Sequence, residues 1–381
     1  MMNESEKLAE RVKLALQDFS GEIPKGTDFW DFPFHRPPRE DFPVPELVLI
    51  VLRNIMGFPW SGPGEKVRWS VYCTFKGEPL AFELHKFGFT VCHADGSPID
   101  LNVVLGKLKK ATRCAEDILM QMADHQAEEG NVTVANRYHD FEGRYRFFRE
   151  NADAAYVTPD PPPTPTGFDK KGKPISGAGV FMKGPREGSY YTAAMIDAFF
   201  SRLEHVLVLV LPFTDFVPTG NALRRFISST WDDKFKMVFD IRVDFHAKLL
   251  YDRLKAMKER LRNPLSHGGF EKGWASLYFH LPTVGAIPTS LTRFRDSVQF
   301  NFLPVEHDDH KQVCTLFDEL DDFLAGGRAK MGYEYAKSGL DVAFDQDSRK
   351  HYQEAMKSTD ALNEFIRRES HLSDLHTNMD Y

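Results

Sequence analysis

The chain runs to 381 residues, 42% of them hydrophobic and 27% charged, with a formal net charge of −7. That length suits two or three domains, each able to bury its own core, and the acidic balance excludes a protein that coats nucleic acid along its whole length. No window reaches the roughly eighteen uncharged apolar residues of a membrane span. The acidic opening, Met1-Met2-Asn3-Glu4-Ser5-Glu6, lacks an apolar signal core, so a cytoplasmic chain with no membrane partner is expected.

Leu8, Val12, Ala15, Leu16 and Phe19 recur at helical spacing and predict a first helix over 3–19. Between Ile23 and Pro45, Phe29-Trp30-Asp31-Phe32-Pro33-Phe34 and Pro37-Pro38 bar regular structure yet carry enough apolar surface to pack as an ordered arm. A short helix with proline in its first turn follows over 45–56. Runs at 67–75, 80–86 and 89–93 read as three strands of an antiparallel meander, broken at Lys76-Gly77-Glu78-Pro79 and Phe87-Gly88. Leu101 to Met122 and Val134 to Phe148 then supply two helices. Cys73, Cys92, Cys114 and Cys314 are widely spaced with no Cys-x-x-Cys pair, which gives a zinc ribbon or redox motif no support.

Five prolines between Pro159 and Pro165, followed by Gly167 to Pro174, make a stiff stretch unable to join a core, so a domain boundary is expected there. Beyond it come the most apolar helix of the chain, over 191–211, a helix from Asn221, and one long helix over 232–261. Residues 274–281 suit strand or helix. Further helices are expected over 308–325 and 348–369, with a polar tail from Ser370. The fold class expected is mainly α, a helical bundle preceded by a small α+β domain with a short antiparallel sheet. Its parts are an N-terminal module over 1–155, a Pro/Gly-rich linker over 156–188, a helical domain over 189–300 and an acidic helical extension over 301–381.

Charge is unevenly placed. From Asn221 to Arg262, Lys and Arg outnumber acids by eleven to six, whereas from Glu306 onward seventeen acids face nine Lys and Arg. The basic run leads into Arg262-Asn263-Pro264-Leu265-Ser266-His267-Gly268-Gly269. Arginine grips phosphate in a planar fork, and histidine is the side chain best suited to proton transfer near neutrality. The plainer reading makes Arg262 a last-turn cation and Pro264 and the glycine pair ordinary stop signals. Pro264 disfavours helical geometry at Asn263, which puts the motif at a helix-to-loop corner.

Arg262-Asn263-x-x-x-His267, preceded by two long helices of which the first is unusually apolar and carries the polar pair Glu204-His205, resembles the HEPN superfamily. The resemblance covers about 189–300 and implies an all-helical bundle. In many members it also implies a ribonuclease marked by Arg, a following polar residue and a His four to six positions on. Pro264 and the Gly268-Gly269 pair depart from a simple helix start. The resemblance implies a metal-independent endoribonuclease with no cofactor and no metal, of the kind often found in stress and phage-defence systems. His267 would act as general acid/base, Arg262 would bind the scissile phosphate and Asn263 would orient the imidazole or a phosphate oxygen. One histidine meets half of the proton inventory, and the family's solution is a composite site across a homodimer. RNA, a second copy and a regulatory protein are thus the expected partners. The alternative is a non-catalytic HEPN-like scaffold that binds RNA, a nucleotide or a partner protein through the same corner.

Other constellations compete less well. Glu306-His307-Asp308-Asp309-His310 offers metal-ligand chemistry, but paired acids before an apolar-periodic run also mark a helix start. Gly177-Ala178-Gly179-Val180 and Lys183-Gly184-Pro185 lack the preceding strand of a phosphate-binding turn and read as loop. Ser70 and Ser228-Ser229 sit in no nucleophile elbow. His85 and His93 fall on adjacent strands near Cys73 and Cys92, where half-buried sheet positions explain them.

Overall fold

Alternation of large apolar and smaller or polar residues gives the N-terminal sheet one apolar face for a core and a second face on which Ser70, Thr74, Thr90 and Cys92 are also buried. The structure, a computed structural model, describes residues 4–160, 167–175, 182–217, 221–262, 278–288 and 305–379. Among these, helix predominates and a small antiparallel sheet is present. The elements are α1 (Glu4–Ala15), β1 (Phe19–Ser20), β2 (Phe34–His35), α2 (Glu46–Leu49, continued by a wider turn over Ile50–Ile55), β3 (Trp60–Ser61), β4 (Val67–Phe75), β5 (Glu78–His85), β6 (Gly88–His93) and α3 (Leu101–Glu129). The sheet order is β1-β4-β5-β6-β2, with β3 also on β4.

Register sorts the strand residues into two faces. Trp69, Val71, Cys73, Leu80, Phe82, Leu84, Phe89 and Val91 point inward and meet Val12 and Leu16 of α1, Val48 and Leu52 near α2, and Val104 and Leu108 of α3. Ser70, Tyr72, Glu83 and Cys92 belong to the opposite face. The proline-rich arm is ordered as expected, and Phe34 pairs with Cys92 to add β2 to the sheet edge.

The second set of elements is β7 (Thr133–Val134), α4 (Tyr138–Val157), a hairpin of β8 (Gly167–Phe168) and β9 (Pro174–Ile175), α5 (Lys183–Val210), α6 (Ala222–Ser228), α7 (Trp231–Val238), α8 (Phe245–Met257, continued by a wider i→i+5 turn over Lys258–Arg262), a hairpin of β10 (Tyr278–Leu281) and β11 (Gly285–Pro288), α9 (His307–Gly326), α10 (Lys330–Lys337), β12 (Val342–Ala343), α11 (Gln346–Ala355) and α12 (Thr359–Asn378). By compactness the chain divides into residues 1–129 with 364–381 and residues 130–363. The division falls before α4, not in the proline-rich stretch, because α4 packs along α5. A Cβ on Gly184 would lie 2.6 Å from the carbonyl oxygens of Ala155 and Thr158, and one on Gly188 would lie 2.8 Å from the Tyr156 ring. Glycines four apart on one helix face let the two backbones approach.

Four expectations are corrected. The helix expected to begin at Tyr191 starts at Lys183, so Lys183-Gly184-Pro185 forms its first turn and not a loop; Asp160 accepts the backbone N–H groups of Met182 (2.6 Å) and Lys183 (2.8 Å), and proline is tolerated there. The single helix expected over 232–261 is two, because Phe239 is extended and buried, and Asp244 caps a new start by accepting the Ala247 N–H at 2.9 Å. The helix expected over 348–369 likewise divides, with Asp345 capping α11 and Ser358 accepting the Ala361 N–H at the head of α12. Residues from Ser370 continue α12 to Asn378 and are not a tail. Among the described residues no helix is long and apolar enough to cross a membrane.

Within residues 130–363, Arg202 of α5 joins three helices. Its guanidinium pairs with Glu142 of α4 and Asp321 of α9, and lies 4.8 Å from the centroids of the Tyr145 and Phe199 rings. Burial raises the Asp321 carboxyl above its ordinary value; at Glu142 burial acts the same way, but Arg202 and Arg146 outweigh it and hold the carboxyl low. Arg149 of α4 adds a paired contact to Asp318 of α9 (2.7 Å) and donates to Tyr145 Oη at 2.8 Å. Beside them Phe199 and Phe317 stack face to face at 3.5 Å. Removing one partner of a buried pair strands the others. Arg202→Leu is expected to lower unfolding free energy by about 3–5 kcal/mol, read as a fall in the urea midpoint at pH 7; an unchanged midpoint contradicts this role.

Candidate functional site

The basic run is carried by α6, α7 and α8. Thr230 caps α7 by accepting the Asp233 N–H, and Asp244 caps α8. Leu250, Leu254, Met257 and Leu261 put the apolar stripe of α8 inward. The helix extends through its wider last turn to Arg262, so Arg262 stands at a helix end, as its spacing implies. Asn263 and His267, with Pro264 and the glycine pair, lie outside the described residues, and so does the side-chain placement of Arg262. The structure therefore positions the approach to the motif and not the proton-transfer group.

The approach is less cationic than its composition. Lys234, Lys236, Arg242 and Lys248 pair with Glu204, Asp232, Asp240 and Asp252. Arg253 and Arg260 reach Glu319 and Asp309 of α9, the latter at 3.0 Å. Asp309 and Glu319 of the acidic C-terminal run thus face α8. Between the two helices is a cleft of about 240 Å³ lined by Arg253, Met257, Arg260, Leu261, Asp309 and Val313.

The Glu204-His205 pair is used structurally. Glu204 meets the buried ammonium of Lys234 at 3.2 Å, and Lys234 also donates to the Ser229 carbonyl at 2.8 Å. His205 Nε2 accepts the backbone N–H of Arg137 at 2.9 Å, and its ring packs 5.0 Å from Phe141. An accepting Nε2 carries no proton, so this imidazole is neutral. Burial first, and the Arg137 charge second, depress its pKa.

Glu306 to His310 begins α9, and the Glu306 N–H donates to Asp309 at 3.2 Å in the manner of a capping box. His307 stacks on Tyr156 at 4.9 Å. His310 turns inward, with Nδ1 2.9 Å from Thr192 Oγ1 and Nε2 2.8 Å from Asp153 Oδ1. The single Thr192 hydroxyl proton is shared between His310 Nδ1 and the Gly188 carbonyl at 2.8 Å, and a ring protonated at Nε2 donates to the Asp153 carboxylate. Sequence spacing missed this set, because Asp153 and Thr192 come from other helices. With Cys314 it has three ligand atoms within 4.8 Å of one another, the one such group of His, Cys and acids among the described residues. Burial pushes the Cys314 thiol up to about 11, so it is protonated at neutrality. Thr192 and His310 are buried at 0% and 1% exposure, which keeps a substrate from the hydroxyl–imidazole–carboxylate row unless the helices part. In the sheet, Cys73 and Cys92 occupy opposite faces, which separates the cysteine and histidine pairs the sequence set near one another.

No family model, curated protein or solved structure matches the chain. Function must therefore be argued from the residues.

A depressed imidazole pKa means that the unfolded chain takes up the proton first as pH falls, so the stability His205 contributes is complete above about pH 6.5 and declines below it. His205→Gln can still accept the Arg137 N–H without titrating. The expected result is a flatter fall in urea midpoint between about pH 7 and pH 5 than in the unsubstituted protein. Equal slopes contradict the assignment.

Proposed function

We propose that the chain is a metal-independent endoribonuclease of HEPN type, acting at the corner formed by Arg262, Asn263 and His267 and completed by a second copy. The observation that supports this reading is that the backbone of α8, with its wider last turn, runs to Arg262, so that the motif begins at the end of a packed helix. The predominantly helical make-up of residues 130–363 is in keeping with it.

RNA brings its own nucleophile. In this mechanism one imidazole removes the 2′-hydroxyl proton as the 2′-oxygen bonds to phosphorus, and the P–O5′ bond breaks as a second imidazole gives the leaving oxygen a proton. Arg262 binds the non-bridging oxygens, whose charge rises in the crowded intermediate, through a bidentate fork that lysine would not reproduce. Asn263 orients the imidazole or a phosphate oxygen. The two imidazoles are the His267 side chains of two chains, so the active species is a homodimer. In this arrangement His205 is not the second proton carrier, because its Nε2 is committed to the Arg137 backbone.

The pairing of Arg253 and Arg260 with α9 carboxylates favours a second reading, a non-catalytic HEPN-like scaffold that holds RNA, a nucleotide or a partner protein at the same corner. A regulatory protein and a role in stress or phage defence fit either reading.

Incubation of total RNA with the protein in excess EDTA distinguishes them. Cleavage is expected to persist in EDTA and to fall by about 10²–10⁴-fold in His267→Ala, with Arg262→Lys also impaired. Equal cleavage by wild type and His267→Ala, or none by either, contradicts the enzyme.

A further inference from the structure

The outer face of the N-terminal sheet is not bare. The aromatic arm reaches it, and arm and strands together enclose a cleft of about 620 Å³, within the range of small-molecule sites. Phe29 of the arm packs 4.9 Å from the Tyr72 ring of β4 and 5.3 Å from Phe32. Trp30, at 93% exposure, stands at the rim with almost none of its surface covered. A large exposed indole beside a cleft is a ready contact for a ligand and has no packing role of its own.

The floor is polar and fixed. Glu83 accepts from Ser70 Oγ at 2.9 Å through one oxygen and meets His85 Nε2 at 2.7 Å through the other. Burial works against its charge, yet these hydrogen bonds outweigh burial and hold the carboxyl below its ordinary range. Cys92 also faces Glu83, and burial pushes its thiol up to about 12, which removes it as a nucleophile at neutral pH. Asp28 and Glu65 add two more carboxylates, and the lining holds no Lys or Arg.

Carboxylates and aromatic rings share a preference for positive charge, and both repel phosphate or carboxylate ligands. A compact, strongly hydrated metal ion would call for a cage of oxygens in place of rings. A weakly hydrated organic ammonium uses both kinds of wall. We propose that this cleft binds a small organic cation of the alkylated amine class, its apolar groups against Phe29, Tyr72 and Trp30 and its charge toward Asp28, Glu65 and Glu83. Residues 1–129 with 364–381 are on this account a ligand-binding module, and the proposal stands apart from the RNA-cleavage reading of Arg262 and His267.

Titration calorimetry on the full chain tests it with choline and with 3,3-dimethylbutan-1-ol, which has the same shape with carbon in place of the charged nitrogen. Choline is expected to saturate one site per chain and to bind about tenfold or more tighter than the alcohol. Trp30→Ala, at an exposed position whose replacement spares the core, and the double variant Asp28→Asn with Glu65→Gln are each expected to weaken choline by about three- to tenfold. No saturable choline binding, equal binding of the two probes, or choline binding indifferent to both variants would overturn the proposal.

Discussion

One buried guanidinium holds the helical unit together. Arg202 can be charged in the interior only because Glu142 and Asp321 converge on it from α4 and α9 and because two aromatic faces border it. Each of the three helices is thereby fixed relative to the other two. The closeness of α4 and α5 rests on Gly184 and Gly188, and the seating of α9 rests on Phe317 against Phe199 and on Asp318 against Arg149. Helix α8 packs on α9 in turn, through Arg253 to Glu319 and Arg260 to Asp309. The helix end that presents Arg262 is thus referred back, contact by contact, to a charge network in the bundle interior.

The charge asymmetry of the sequence takes on a structural meaning. The basic run and the acidic run, far apart in the chain, meet at two pairs, Arg253 with Glu319 and Arg260 with Asp309. Lys236 and Lys248 pair with acids of their own helices, so most of the cations of α7 and α8 already have a carboxylate. Pairs exposed in this way contribute little to stability individually. They do limit how much phosphate the surface attracts at long range, which suits local recognition at one corner better than broad binding along a strand. The cleft of the N-terminal unit shows a different chemistry, with aromatic rings and carboxylates in its lining and no Lys or Arg.

The strands and most helices were legible because their signals are local. Alternation along β4 to β6 and the 3.6-residue stripes of α3 and α9 follow from which side chains face a core, and the ordered arm followed from its apolar content. The errors have a common cause. The early start of α5 depends on Asp160, the break before α8 depends on Asp244 and on burial of Phe239, and the division of the chain depends on two glycines meeting α4. Each is a tertiary or capping event that periodicity does not register. The candidate site was legible as a string, Arg262 to His267, and the structure adds its helix-end position at Arg262. The Asp153, Thr192 and His310 row and the cleft over Glu83 were not legible, because each gathers residues from elements distant in sequence.

On the proposed mechanism a single motif per chain supplies one histidine for two proton transfers, so a ribonuclease site would exist only between two copies. Specific RNA-cleaving activity measured over a dilution series, alongside sedimentation of the same samples, tests this most directly. The account predicts that activity per chain falls in step with the dimer fraction. Constant activity per chain across concentrations at which the protein sediments as a monomer would contradict it.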